Sequence, residues 1–122
     1  MTSKEFHKKF NEIAEKFSPE KGVNNFGLES YNYSTIFGTL SVRADPTPKI
    51  KVYTVFMRFH SGWDSTIGQG GDHRKFKDIF PGTSDIPSPN GKWNIHTGDA
   101  EITLEIFEER LDNMEYLKLL KS

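Results

Sequence analysis

Along the first twenty positions apolar side chains recur on one side of a helix: Phe6, Phe10, Ile13, Ala14 and Phe17 fall at i, i+4, i+7, i+8 and i+11. Ser3 offers an N-cap and Ser18-Pro19 a stop. On the outer face Glu5/Lys9, Lys8/Glu12 and Glu12/Lys16 stand four residues apart, so this helix is expected to neutralise itself. His7 lies on that solvated face and needs no role.

Over residues 26–61 the period shortens to two, and aromatic and β-branched residues alternate with polar ones, as in half-buried strands. Asn32-Tyr33-Ser34 and the stiff Asp45-Pro46-Thr47-Pro48 interrupt the pattern, which predicts three strands, the first of them weak. In the second, Ile36, Gly38, Leu40 and Val42 share the inner face, and Thr35, Phe37, Thr39, Ser41 and Arg43 the outer one. In the third, Tyr53, Val55, Met57 and Phe59 point inward, leaving Val52, Thr54, Phe56, Arg58 and His60 outside.

Residues 62–91 are rich in Gly, Asp, Ser and Pro and read as one long loop, a length that compact domains seldom carry without a use for it. A helical turn near 72–80, anchored by Phe76, Ile79 and Phe80, interrupts it. Asn90-Gly91 is a hairpin-type turn signal. A fourth strand follows at 92–97, with Trp93 and Ile95 on one side and Lys92, Asn94 and His96 on the other. The last helix starts near Thr97 or Gly98 and buries Ala100, Leu104, Phe107, Leu111 and Met114, with Leu117, Leu119 and Leu120 continuing the apolar contact.

Helices at the two ends of a run of strands predict a single α+β domain over 1–122: an N-terminal helix, a mostly antiparallel sheet of about four strands, the long loop, and a C-terminal helix. Both helices are expected on one face of the sheet, which leaves the other bare.

Composition narrows the chemistry. Sixteen basic and seventeen acidic residues in 122 give a net charge of −1, so no global attraction to a polyanion is built in. The absence of cysteine removes disulfides and thiolate chemistry. The apolar runs are too short for a membrane span or a signal peptide, and the chain reads as soluble and cytoplasmic. Gly68-Gln69-Gly70-Gly71 lacks the spacing of a phosphate loop, and no cofactor or metal motif occurs, so neither is expected.

Three constellations remain. The bare sheet face would gather Phe37, Arg43, Phe56, Arg58, His60, Asn94 and His96, rings and donors of the kind enriched at binding surfaces, with Trp63 exposed nearby. The long loop could instead fold over that face and bury Phe37 and Phe56. His60, Asp64 and His73 carry metal-site and acid–base chemistry, although their spacing matches no ligand pattern. Glu101, Glu105, Glu108, Asp112 and Glu115 line one ridge of the last helix, with only Arg110 nearby; this is either a solvated face or a surface for a basic groove. Together these point to a small non-catalytic interaction domain, an adaptor or inhibitor such as a bacterial or phage accessory protein, engaging a protein partner through the acidic ridge, the open face or both. Single-stranded nucleic acid on the aromatic and basic face is one alternative, and a small metal-assisted hydrolase is another.

Overall fold

The computed structural model describes residues 1–23, 29–60, 73–80 and 93–121. Helix α1 spans Ser3–Glu15, and Thr2, one residue ahead of the expected cap, accepts the Glu5 amide at 3.1 Å. It ends where Ser18 enters the left-handed region at φ 55°, just before Pro19. Its apolar stripe is buried as the spacing requires, through Phe6, Phe10, Ala14 and Phe17.

Among the described residues the sheet has five antiparallel strands in sequence order, one more than expected: β1 (Glu20–Val23), β2 (Glu29–Thr35), β3 (Gly38–Thr47), β4 (Val52–His60) and β5 (Ile95–Thr97). Asn32-Tyr33-Ser34, expected to break a strand, lies inside β2. Tyr31 and Tyr33 point to the helices there, and the Tyr33 hydroxyl donates to the Ala14 carbonyl at 2.6 Å near the end of α1. Burial pushes that phenol's pKa well above its usual value. The Asp45-Pro46-Thr47-Pro48 turn also moves: β3 runs through Thr47, and the chain reverses in a 3-10 turn at Pro48–Ile50 with Lys51 left-handed at φ 53°. The β2–β3 pairing ends at Tyr31↔Val42, so Pro46 has no β2 residue opposite it to receive an N–H.

The sheet's inner face meets both terminal helices, as expected. Phe10 packs between Tyr31 at 5.7 Å and Phe107 at 4.9 Å, and Phe6 lies 5.4 Å from Tyr53. Helix α3 covers Ala100–Tyr116 and is capped by Asp99, which accepts the amides of Glu101 and Ile102. The one-turn helix α2 (Phe76–Ile79) is shorter than the expected 72–80 segment, and β5 is shorter than the expected strand at 92–97. Residues 61–72 and 81–92 are outside the description, and with them Trp63, Asp64, the Gly68–Gly71 run and Asn90-Gly91.

One expected surface residue is in the core. Phe37 is 0% exposed, not on the open face. Counting alternate residues back from Val42 sends it outward, but the strand stops at Gly38, whose φ of 113° makes a tight turn of Thr35 to Gly38. The Thr35 hydroxyl closes that turn, donating to the Gly38 carbonyl at 2.7 Å and accepting the Phe37 amide at 3.0 Å. Phe76 meets Phe37 edge-on at 5.3 Å. The C-terminal tail straps the turn through Ile36 N to the Leu119 carbonyl and Lys121 N to the Ser34 carbonyl, at 2.9 and 2.8 Å.

Phe37→Ala is therefore expected to cost about 3–5 kcal/mol in a urea unfolding curve, as for a core phenylalanine; a residue on an open face would move the midpoint by less than about 0.5 kcal/mol.

Candidate functional site

Strand alternation and register assemble the outer face. β4 contributes Thr54, Phe56, Arg58 and His60, and β3 sets Arg43 opposite Phe56 and Ser41 opposite Arg58. The Arg43 guanidinium lies 4.4 Å from the Phe56 ring centroid, a cation–π contact. The Phe56 and His96 rings stand perpendicular, with centroids 6.3 Å apart and planes at 89°. His96 is fixed in turn by Thr54, whose hydroxyl stands 2.9 Å from the imidazole Nδ1. Arg43 and Phe56 are half-buried, whereas Arg58, His60 and His96 are exposed. Further along the sheet, Ser41 and Asn32 are joined by a hydrogen bond between their side chains.

No described helix packs on this face, since α1 and α3 contact the opposite one. Of the residues expected here, Arg43, Phe56, Arg58, His60 and His96 share the outer face, with Arg43, Phe56 and His96 in successive contact, while Phe37 is withdrawn. Asn94 is half-buried, and its side-chain oxygen accepts the Met57 amide at 3.1 Å, so it serves the sheet edge. Trp63 lies outside the described residues.

The histidines do not gather. His60 stands across from Thr39 at one end of β4, His96 pairs with Thr54 towards the other, and His73 is exposed ahead of α2. Among the described residues no three His, Asp or Glu side chains converge on a point that could hold an ion. Desolvation, followed by repulsion from Arg58, pulls the His60 pKa below the ordinary 6.5.

The acidic row occupies the other side of the molecule. Glu101, Glu105 and Glu108 border a groove of about 340 Å³ between α1 and α3, facing Lys9 and Glu12. Glu101, Glu105, Asp112 and Glu115 are exposed. Glu108 is bridged by Lys16 of α1, whose pKa rises through that hydrogen bond against a smaller opposing effect of desolvation. The expected partition of charge thus changes: Lys16 ties α1 to α3 instead of balancing Glu12 within its own helix. Arg110 does not neutralise the row either. It turns inward, stacks 4.2 Å over Trp93 and donates to the Trp93 carbonyl at 2.7 Å, with burial lowering its pKa to about 10. Sequence reasoning missed this pairing because residues 93 and 110 are brought together only by the packing of α3 on the sheet.

Comparison with protein-family models, with curated proteins and with solved structures found no match to this chain. No helix among the described residues is long and apolar enough to cross a membrane.

The sign of the His60 effect is testable. A folded-state pKa below the unfolded one means that the unfolded chain binds the proton first, so this residue's contribution to stability is intact above about pH 6.5 and declines as the pH falls. An NMR titration is expected to place the His60 midpoint below 6.5, and Arg58→Gln to raise it only part of the way back, because desolvation is the larger cause.

Proposed function

We propose that this chain is a small interaction domain, not an enzyme, that binds a protein partner through the open side of its sheet. The observation that carries this reading is the ordered cluster of Arg43 on Phe56 against Thr54-tethered His96, in the middle of a face on which no described element packs. Arginine and aromatic side chains dominate the energetics of protein interfaces, because they bring area and donors at low cost in lost freedom. Strand spacing puts the face on the order of 500 Å², most of the roughly 800 Å² each partner contributes to a standard interface. This area suits a reversible adaptor or inhibitor.

The acidic row is the less favoured surface. It lies across the molecule from the sheet face, so one compact partner would not cover both, and Glu108 is already engaged by Lys16. Binding of single-stranded nucleic acid remains a second reading, favoured by the two arginines on the face. No ion pair among the described residues involves either of them.

With the full chain as bait, Arg43→Glu and Arg58→Glu are expected to lose a protein that the parent chain retains from its native host, while Glu105→Lys keeps it. The opposite pattern, measured by quantitative mass spectrometry on variants with unchanged thermal melts, would move the binding surface to the helices and overturn the proposal.

A further inference from the structure

We infer that what the sheet face reads on its partner is an extended acidic segment, with carboxylates at alternate positions seated on Arg43 and Arg58. This rests on the reading of that face as the binding surface and adds the chemistry of the ligand.

The first support is spacing. Arg43 pairs across the strands with Phe56, and Arg58 stands two residues further along β4, so the two arginines are diagonal neighbours. Such neighbours lie about 7–8 Å apart on one face of an antiparallel pair. Alternate side chains of an extended segment repeat every ~6.6 Å, close to that separation. Adjacent residues of the same segment point to opposite sides and cannot both reach the face.

The second support is order. The Arg43 guanidinium already rests over the Phe56 ring, so part of the cost of immobilising a long side chain has been met before any ligand arrives. A guanidinium presented in this way offers a planar fork that matches a carboxylate. No described carboxylate consumes it: the two ion pairs among the described residues are Lys16–Glu108 and Lys21–Glu15, and neither involves Arg43 or Arg58.

Phosphate shares much of this chemistry, and the rings decide against a nucleic acid strand. Binding single strands through a sheet uses free aromatic faces on which bases stack. Phe56 carries Arg43 on one side and has His96 perpendicular beside it, while Phe37 and Trp93 are buried. Among the described residues the face therefore shows no uncovered phenylalanine, tyrosine or tryptophan ring, and its exposed rings are the small imidazoles of His60 and His96. Glu20 and Asp45, both exposed, share the face through their registers with Asn32 and Thr54, so a backbone charged at every residue meets repulsion beyond the two arginines.

The test is an NMR titration of the isotope-labelled full chain, which detects weak binding and locates it. The probes are a peptide with three glutamates alternating with serines, its isomer with the glutamates adjacent, and an oligothymidylate of equal charge. The alternating peptide is expected to shift amides of β3 and β4 around Arg43 and Arg58, and to bind more tightly than its isomer. Arg43→Ala or Arg58→Ala should weaken it by about tenfold, the loss of one charge-assisted contact. Phe56→Leu, which removes the ring under Arg43 and keeps an apolar side chain, should weaken it several-fold with the melting curve little changed. Equal binding of the two peptides, indifference to the arginine substitutions, or tighter binding of oligothymidylate would each overturn the inference. Should no acidic peptide bind while the retained host protein still depends on Arg43, the surface stands and the carboxylate assignment alone fails.

Discussion

The three-ring contact of Tyr31, Phe10 and Phe107 sets the plan of this molecule. Phe10 of α1 lies between a ring of the sheet and a ring of α3, so both helices are bound to the same side of the strands and to each other. Burying rings of this size removes far more apolar area from water than any exposed polar pair in the molecule could offset. Once both helices are committed to that side, the described part of the fold supplies no further layer, and the outer face keeps the residues that alternation sends there.

A second aromatic group holds the far end of the sheet. Phe37, Phe59, Phe76, Phe80 and Trp93 pack through a series of edge, tilted and stacked contacts with centroids 4.8–6.4 Å apart. Arg110 closes this group by lying on Trp93 and binding its carbonyl, which satisfies the acceptor of a buried residue and a half-buried cation together. The chemistry of the two ends differs accordingly. Where rings face inward they stabilise the fold, and on the outer face the same pairing of arginine with an aromatic, Arg43 on Phe56, is half-exposed.

Much of this was legible in the chain. Terminal helices, their buried stripes and the inward set of β4 follow from spacing alone, because a helix or strand that buries one side must repeat its apolar residues at its own period. The same alternation placed Arg43, Phe56, Arg58, His60 and His96 on one surface. It failed at Phe37, where a glycine with positive φ ends the strand and resets the alternation, and at Asn32-Tyr33-Ser34, where residues with turn propensity are held in β2 by the burial of Tyr31 and Tyr33.

Local order along the chain therefore determined which elements exist and which side of each is apolar, since those properties depend on neighbours a few residues away. Tertiary structure alone decided that Arg110 would lie on a buried ring and Arg43 on a half-buried one. Arg43 and Arg110 each lie over a ring, and the difference between them comes from contacts of residues far apart in sequence: β4 leaves Phe56 half-buried on the outer face, whereas packing of α3 on the sheet brings the buried Trp93 under Arg110. Long-range packing sets how much solvent each pair retains, and a periodicity of two or of three and a half residues carries no record of it.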